Sequence, residues 1–338
     1  MKKSLAGMNL EEIRKETAAL GLPAFRAAQI YRWISKGAYI EEMTDLPLEL
    51  RENLQKEYAS FALSTEKIYD EQKSCSKKYL YLANDDIIIE SVKLVYNHGS
   101  AVCVSSQAGC MRNCSFCVSS ENGLIRNLSA EEMLSQVLLI MRHTGGEVPN
   151  VVLMGSGEPL DNYSEVKKFI GLLCDKDGIG LSMRKITLST CGIVPGILQM
   201  ADDGMFVNLS VSLHSPVSTL RAELMPVEKV YPLTDVIGAA QEFRRRSKRR
   251  ITYEYCVIEG CNDTDACADA LLRLLEGSDA LVNLIDVNAG RIKKTNSRDA
   301  AENFSLKLKE RKISHTIRRR LGSSINAACG QLSGGYRR

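Results

Sequence analysis

The stretch Gly109-Cys110-Met111-Arg112-Asn113-Cys114-Ser115-Phe116-Cys117 decides how the rest of this chain is read. Its cysteines are spaced C-x3-C-x2-C. Three thiolates on one short loop can hold three irons of a four-iron cluster and leave the fourth iron without a protein ligand. An open iron can bind a small molecule, so the spacing points to a reactive cluster rather than an electron wire. The competing reading is a structural zinc site completed by a distant Cys or His; such sites usually show paired C-x2-C arms, and no second arm is present.

Outward from this loop, strands and helices alternate. Ala101 to Ser105 reads as a strand leading into it. Ser129-Ala-Glu-Glu132 is a capping box that opens a helix to about Arg142. Strands follow at Val151 to Gly155, Lys185 to Thr190, Phe206 to His214, Arg250 to Ile258 and Leu281 to Val287. Helices are expected near Tyr163 to Cys174, from Pro195, from about Thr264 to Glu276 and from about Arg298 to Lys312. Six βα units in series predict an α/β fold with a parallel sheet, open or closed into a partial barrel. Before them, Lys78 to Ala83 and Asp86 to Tyr96 alternate as a hairpin across Asn84-Asp85. Residues 1 to 64 read as a small helical unit, with Phe25, Ile30, Trp33 and Ile34 expected on one face of its second helix. The predicted units are 1–64 helical, 65–99 hairpin, 100–320 barrel and 321–338 a C-terminal tail.

In such a barrel the chemistry sits at the C-terminal ends of the strands, and the unusual residues fall there repeatedly. One strand runs into the cysteine loop. The next ends in Gly155-Ser-Gly-Glu-Pro159, then come Ser189-Thr-Cys-Gly192, Ser212-Leu-His214, and the neighbourhood of Asn288. Gly155 and Gly157 would let the backbone approach a ligand, and Glu158 can accept from an ammonium or hydroxyl. Ser189, Ser212 and Asn288 suit ribose and carboxylate contacts. Three further residues stand out. Cys103 lies in the strand before the loop, where periodicity favours a buried small hydrophobe. Cys329 lies in a Gly- and Ser-containing tail, where a core role explains it poorly and a nucleophilic one is open to it. Glu90 interrupts an apolar strand on the face of Ile88, Val92 and Leu94; it is a general base there if buried, or a surface residue if the strand twists outward. Cys75, Cys174, Cys191, Cys256, Cys261 and Cys267 carry no motif and are assigned to packing.

Composition sets bounds. The chain has 338 residues, 44% hydrophobic and 25% charged, with a net charge of +3, as an ordinary globular protein would. The charge is modest, but Arg244 to Arg250 and Arg318 to Arg320 are basic clusters able to neutralise phosphates or simply to solvate helix ends. Eleven cysteines, with no signal-like start and no apolar stretch long enough to span a membrane, favour a cytoplasmic setting where thiols stay reduced.

Taken together the motifs resemble the RlmN/Cfr family of radical S-adenosylmethionine (SAM) RNA adenine methyltransferases, and most resemble its dual-specificity RlmN branch. The resemblance rests on Phe25-Arg26, Gln29-Ile30 and Trp33-Ile34, on Cys103-Val-Ser-Ser-Gln-Ala-Gly-Cys110, and on Met154-Gly-Ser-Gly-Glu-Pro-Leu160. It continues through Ser189-Thr-Cys-Gly-Ile-Val-Pro195, Ser212-Leu-His-Ser-Pro216, Leu224-Met-Pro226, Val282-Asn-Leu-Ile285 and Ile325-Asn-Ala-Ala-Cys-Gly-Gln-Leu332. Asp286 and Ala289 depart from it, standing where the family has prolines, and Ser156 stands where methionine is common.

The resemblance implies a partial (βα)6 radical-SAM barrel with an N-terminal RNA-docking unit. It implies a [4Fe-4S] cluster on Cys110, Cys114 and Cys117, and two molecules of SAM per turnover. The SAM pocket would be lined by Gly157, Glu158, Ser189, Ser212, Leu213, His214 and Asn288. Cys329 would carry the methyl group, Cys103 would resolve it through a transient disulfide, and Glu90 would accept the ring proton. The implied reaction is methylation of adenine carbon 2 in 23S rRNA, near the peptidyl transferase centre, and in tRNA beside the anticodon. The implied partners are those RNAs and a flavodoxin-type or similar electron donor, with no membrane and a monomeric protein. Two alternatives stay open: carbon-8 methylation of the same rRNA adenine, and a non-catalytic iron–sulfur or zinc RNA-binding protein.

Overall fold

In the computed structural model the residues described are 2–72, 74–97, 99–145, 150–286, 300–318, 321–327, 330–332 and 336–337. The chain opens with β1 (Lys3–Ser4), α1 (Leu10–Ala19), α2 (Phe25–Ser35), α3 (Leu48–Glu57) and β2 (Tyr58–Ala59), which pairs with β1. Asn9 and Glu12 form a reciprocal cap that starts α1. The buried stripe of α2 is Ala27, Ile30, Tyr31 and Ile34. Phe25 was expected on that face but is 58% exposed: it is the first residue of the helix, where no further turn covers it. Tyr31 instead reaches the barrel, donating to Asp175 at 2.7 Å.

Next come β3 (Leu63–Asp70), β4 (Lys77–Ala83), β5 (Ile87–Tyr96) and β6 (Gly99–Cys103). The expected hairpin is thus a three-stranded antiparallel meander, because β3 pairs along the outer edge of β4. β5 pairs with β6, so the meander and the barrel share one sheet. Side chains alternate across β5: Ile87 and Ile89 enter the main core, while Val92 and Leu94 join a second cluster with Cys103, Ala327 and Leu332.

After β7 (Gln107–Gly109) and β8 (Leu124–Asn127), which pair with each other around the cysteine loop, the alternation is regular. It runs α4 (Ala130–Thr144), β9 (Asn150–Leu153), α5 (Tyr163–Cys174), β10 (Ile186–Thr190), α6 (Val194–Asp202), β11 (Asn208–Ser212), α7 (Ser218–Leu224), α8 (Leu233–Ser247), β12 (Thr252–Val257), α9 (Asp265–Leu274), β13 (Leu281–Asp286), α10 (Ala300–Glu310), β14 (His315–Ile317) and β15 (Tyr336–Arg337). The sheet order is β14-β13-β12-β11-β10-β9-β6-β5-β4-β3, parallel from β14 to β6. β14 is a short parallel strand beyond the six expected; three residues between polar neighbours give no periodic signal. The path is open, yet Cys103 of β6 and Asp286 of β13 line the same cavity. The sheet is therefore curved into a partial barrel. β15 pairs antiparallel with β5, bringing the tail back to the meander.

Candidate active site

The cavity at the C-terminal ends of the strands holds about 210 Å³. It gathers Cys110, Cys114 and Cys117, and Gly157, Glu158, Ser189, Ser212 and His214, with Cys103 and the tail residues Ala327 and Gly330 on its wall. Leu213 is fully buried in the core and does not line it; its carbonyl accepts from Arg221 Nε at 3.2 Å. Asn288 and Cys329 lie outside the described residues.

The cysteine loop is fixed from below. Buried Gln136 on α4 accepts from Ser105 N at 2.9 Å and donates to Ser105 O at 3.0 Å, pinning the chain as it leaves β6. Ser105 Oγ in turn donates to Glu90 O at 2.6 Å and accepts from Ser156 N at 3.0 Å. The two glycines just after β9 line the cavity and also make this crossing possible. A Cβ at Gly155 would lie 2.7 Å from Ser105 N, and one at Gly157 2.8 Å from Gln107 N; Gly157 also has φ +101°. Arg112, inside the loop, makes a two-pronged pair with Asp161, tying the loop to the Gly-Ser-Gly-Glu-Pro turn.

Burial pushes the Cys110 thiol up to about 12 and raises Cys114 as well, with the neighbouring Cys117 adding to both. Such thiols ionise only beside a cation, which bound irons would supply. Among the described residues no three Cys, His, Asp or Glu side chains converge at single-ion spacing. A zinc site requires that convergence. A cluster does not, because each thiolate meets its own iron; the donor set fits the cluster.

Glu158 accepts from Cys191 N at 2.7 Å and Leu160 N at 3.1 Å, while burial raises its pKa. His214 has φ +53° and accepts on Nδ1 from Cys256 N at 2.9 Å, so Nε2 carries the proton. Desolvation, with nearby Arg221 adding to it, drops its pKa from 6.5 to about 3. Between those values only the unfolded chain binds the proton, so stability falls as pH falls through this window. The metal-free protein is expected to lose about 2 kcal/mol between pH 7 and pH 5 from this group. Urea titrations at both pH values check it, with His214→Gln expected to flatten the dependence.

Sequence reasoning missed several residues here. Arg221 is 0% exposed. It pairs with Glu228 at 2.5 Å and donates to Cys191 O at 2.8 Å and Ser212 O at 3.2 Å, lacing together the ends of β10 and β11. Cys191 and Cys256 are packed in the core as assigned, and they also line the cavity. Glu254 lines it too, held by Ser210 at 2.7 Å and Asn283 at 2.8 Å; a carboxylate between two tyrosines of a buried strand was the available signal. Cys75 is exposed in a turn rather than packed.

Glu90 is 4% exposed, which removes the outward-twisted alternative, and pairs with Lys78 Nζ at 2.8 Å. The basic run at 244–250 ends α8 and precedes β12, so it sits at the opposite end of the strands from the cavity. Arg244, Arg245 and Arg246 are paired there with Asp279, Glu242 and Asp202. Arg318, by contrast, lines the cavity.

Residues 104–272 match the Radical SAM superfamily, and residues 3–59 match the Ribosomal RNA large subunit methyltransferase N-terminal domain. With the curved parallel sheet and its cysteine loop, this makes the chain a radical SAM enzyme, a class whose chemistry uses SAM and a [4Fe-4S] cluster. Two curated relatives carry the name "Probable dual-specificity RNA methyltransferase RlmN". The one from Lachnoclostridium phytofermentans is 42% identical, over 99% of this chain and 95% of its own. The one from Thermoanaerobacter pseudethanolicus is 43% identical, over 98% of each. A radical SAM methyltransferase from Sphaerobacter thermophilus superposes with a TM-score of 0.94 at 36% identity, covering 98% of this chain and 99% of that one. The chain belongs to the RlmN family of radical SAM RNA methyltransferases. Among the described residues no helix is long and apolar enough to cross a membrane.

Proposed function

We propose that this protein methylates carbon 2 of an adenine in 23S rRNA and of the adenine beside the anticodon in tRNA, with Cys329 as methyl carrier. The reading is supported chiefly by the convergence of Cys110, Cys114, Cys117, Cys103 and the residues flanking Cys329 on one cavity. When bound, the reduced cluster would supply the electron that splits SAM to a 5'-deoxyadenosyl radical. Gly157, Glu158, Ser189, Ser212, His214 and Asn288 would orient SAM, and buried Leu213 would hold Ser212 and His214 in place through its backbone bonds to Glu254 and Arg221.

An amidine carbon is electrophilic, so direct displacement of a SAM methyl by it fails; the methyl must arrive as a radical. The Cys329 thiolate would first take a methyl from one SAM, releasing S-adenosylhomocysteine. Loss of one hydrogen atom to the 5'-deoxyadenosyl radical leaves Cys329 S–CH2•, which adds to the ring carbon. Glu90 would take the ring proton as the adduct gives one electron back to the bound cluster, which would have spent one electron in splitting SAM. The Cys103 thiolate would then attack the Cys329 sulfur, breaking its bond to the methylene and forming the disulfide. The methylene, carrying the bonding pair, takes a proton and becomes the new methyl. A two-electron reductant resets both thiols.

Anaerobic reaction of the cluster-loaded protein with SAM, a reductant and unmodified 23S rRNA or tRNA, followed by mass analysis of nucleosides, tests this. The expected product is 2-methyladenosine from both RNAs. Appearance of 8-methyladenosine instead would move the protein to the Cfr branch, and intact SAM with bound RNA would favour a non-catalytic binder.

A further inference from the structure

The turn between β3 and β4 grips the C-terminal tail across some 250 residues of sequence. Glu71, buried at the head of that turn, accepts from Gly322 N at 2.8 Å, Ser324 N at 3.2 Å and Ser324 Oγ at 2.8 Å, and from Ser74 Oγ within the turn. Four donors on one carboxylate use its full accepting capacity. Burial works against its charge, but these hydrogen bonds outweigh it and hold the pKa below the usual value. Lys78, the partner of Glu90, adds a second grip by donating to Asn326 O at 3.2 Å. The gripped segment is compact: Ala327 N donates to Gly322 O at 2.8 Å.

Downstream, the tail is held by the cysteine loop instead. Gly330 O accepts from Val118 N at 3.1 Å, and Leu332 O accepts from Ser119 Oγ at 2.8 Å. The tail is thus anchored on the meander up to Asn326 and beside the cluster cysteines from Gly330 onward.

We propose that Glu71 is a positioning residue which, by anchoring Gly322–Ser324, sets the reach of the methyl-carrying cysteine into the cavity. This rests on the reading of Cys329 given above. Glu71 does not line the cavity, so its loss should spare SAM cleavage and spoil delivery. Misplacement of a reacting group by about 1 Å can cost about 100-fold.

The test compares wild type, Glu71→Ala, Glu71→Gln and Ser324→Ala, all cluster-loaded. Hydrogen exchange of the 321–327 amides is read alongside the ratio of 5'-deoxyadenosine to methylated nucleoside on a 23S rRNA transcript. In Glu71→Ala those amides should exchange faster, and the ratio should rise about tenfold or more. Glu71→Gln, which keeps one full acceptor, should rescue part of the coupling. Ser324→Ala, which removes one bond from the other side, should move the ratio the same way by less and remains informative if Glu71→Ala folds poorly. Unchanged exchange, or faster exchange with an unchanged ratio, would overturn the proposal. Cys329→Ala is run in parallel. If it still methylates, the carrier reading fails and the proposal with it; if it is inactive while the Glu71 variants stay coupled, the anchor proposal alone fails.

Discussion

Cys329→Ala is expected to lower RNA methylation by about three orders of magnitude or more while RNA affinity changes less than about twofold. The size follows from the proposed route: without the sulfur there is no group from which the transferred carbon can come. The informative contrast is Cys103→Ala. That cavity-wall residue belongs to the small cluster with Val92, Leu94, Ala327 and Leu332, and losing one small sulfur there costs little packing. Methylated product should again be lost, but after the carbon has joined the base. A covalent protein–RNA species should therefore accumulate, visible as an RNA-dependent shift on a denaturing gel. Cys329→Ala, alone or combined with Cys103→Ala, should show no such band. Turnover by either single variant would exclude the two-cysteine route.

Arg221→Met is expected to destabilise the fold by about 3–5 kcal/mol, because it leaves the buried Glu228 carboxylate without its partner. For a chain of this length that is a fall of about 4–7 °C in melting temperature. Glu228 also accepts from Leu233 N at 3.1 Å, so α8 should loosen with it. Arg221→Lys keeps the charge but cannot span acceptors on Glu228, Cys191, Ser212 and Leu213 together. It should recover part of the stability and little of the SAM affinity. Scanning calorimetry of the metal-free protein and SAM binding to the cluster-loaded protein separate the two effects.

The barrel was legible because its signals are local and periodic. The Ser129–Glu132 capping box starts α4 where expected, and Tyr163–Cys174 is a helix over the expected range. The cavity was legible for a different reason: odd residues recurred at strand ends, which the topology gathers at one face. What escaped notice depends on distance in sequence. Nothing near Glu71 hints that its partners lie at Gly322 and Ser324. Nothing around Lys78 in sequence marks Glu90 as its partner; β5 sets the two side by side. Arg221 lies within the short helix α7, and nothing beside it points to its acceptors at Cys191 and Ser212. Gly155 and Gly157 read as ligand-facing and do line the cavity, but their second role, a close approach to the backbone at Ser105 and Gln107, carries no local sign. Each is a long-range pairing, and a linear pattern carries no record of those.

The tail's contacts with the cysteine loop also impose an order on biosynthesis. Ser119 and the Leu332 carbonyl that it holds are 213 positions apart, which at ordinary translation rates is about ten to forty seconds of ribosome time. Through most of that interval the nascent chain already contains all three thiols and not yet the strap that later pairs with Val118 and Ser119 beside them. Iron and sulfide delivery thus has a natural opening before the last segment is made, and the same strap, once in place, would slow loss of the finished cluster.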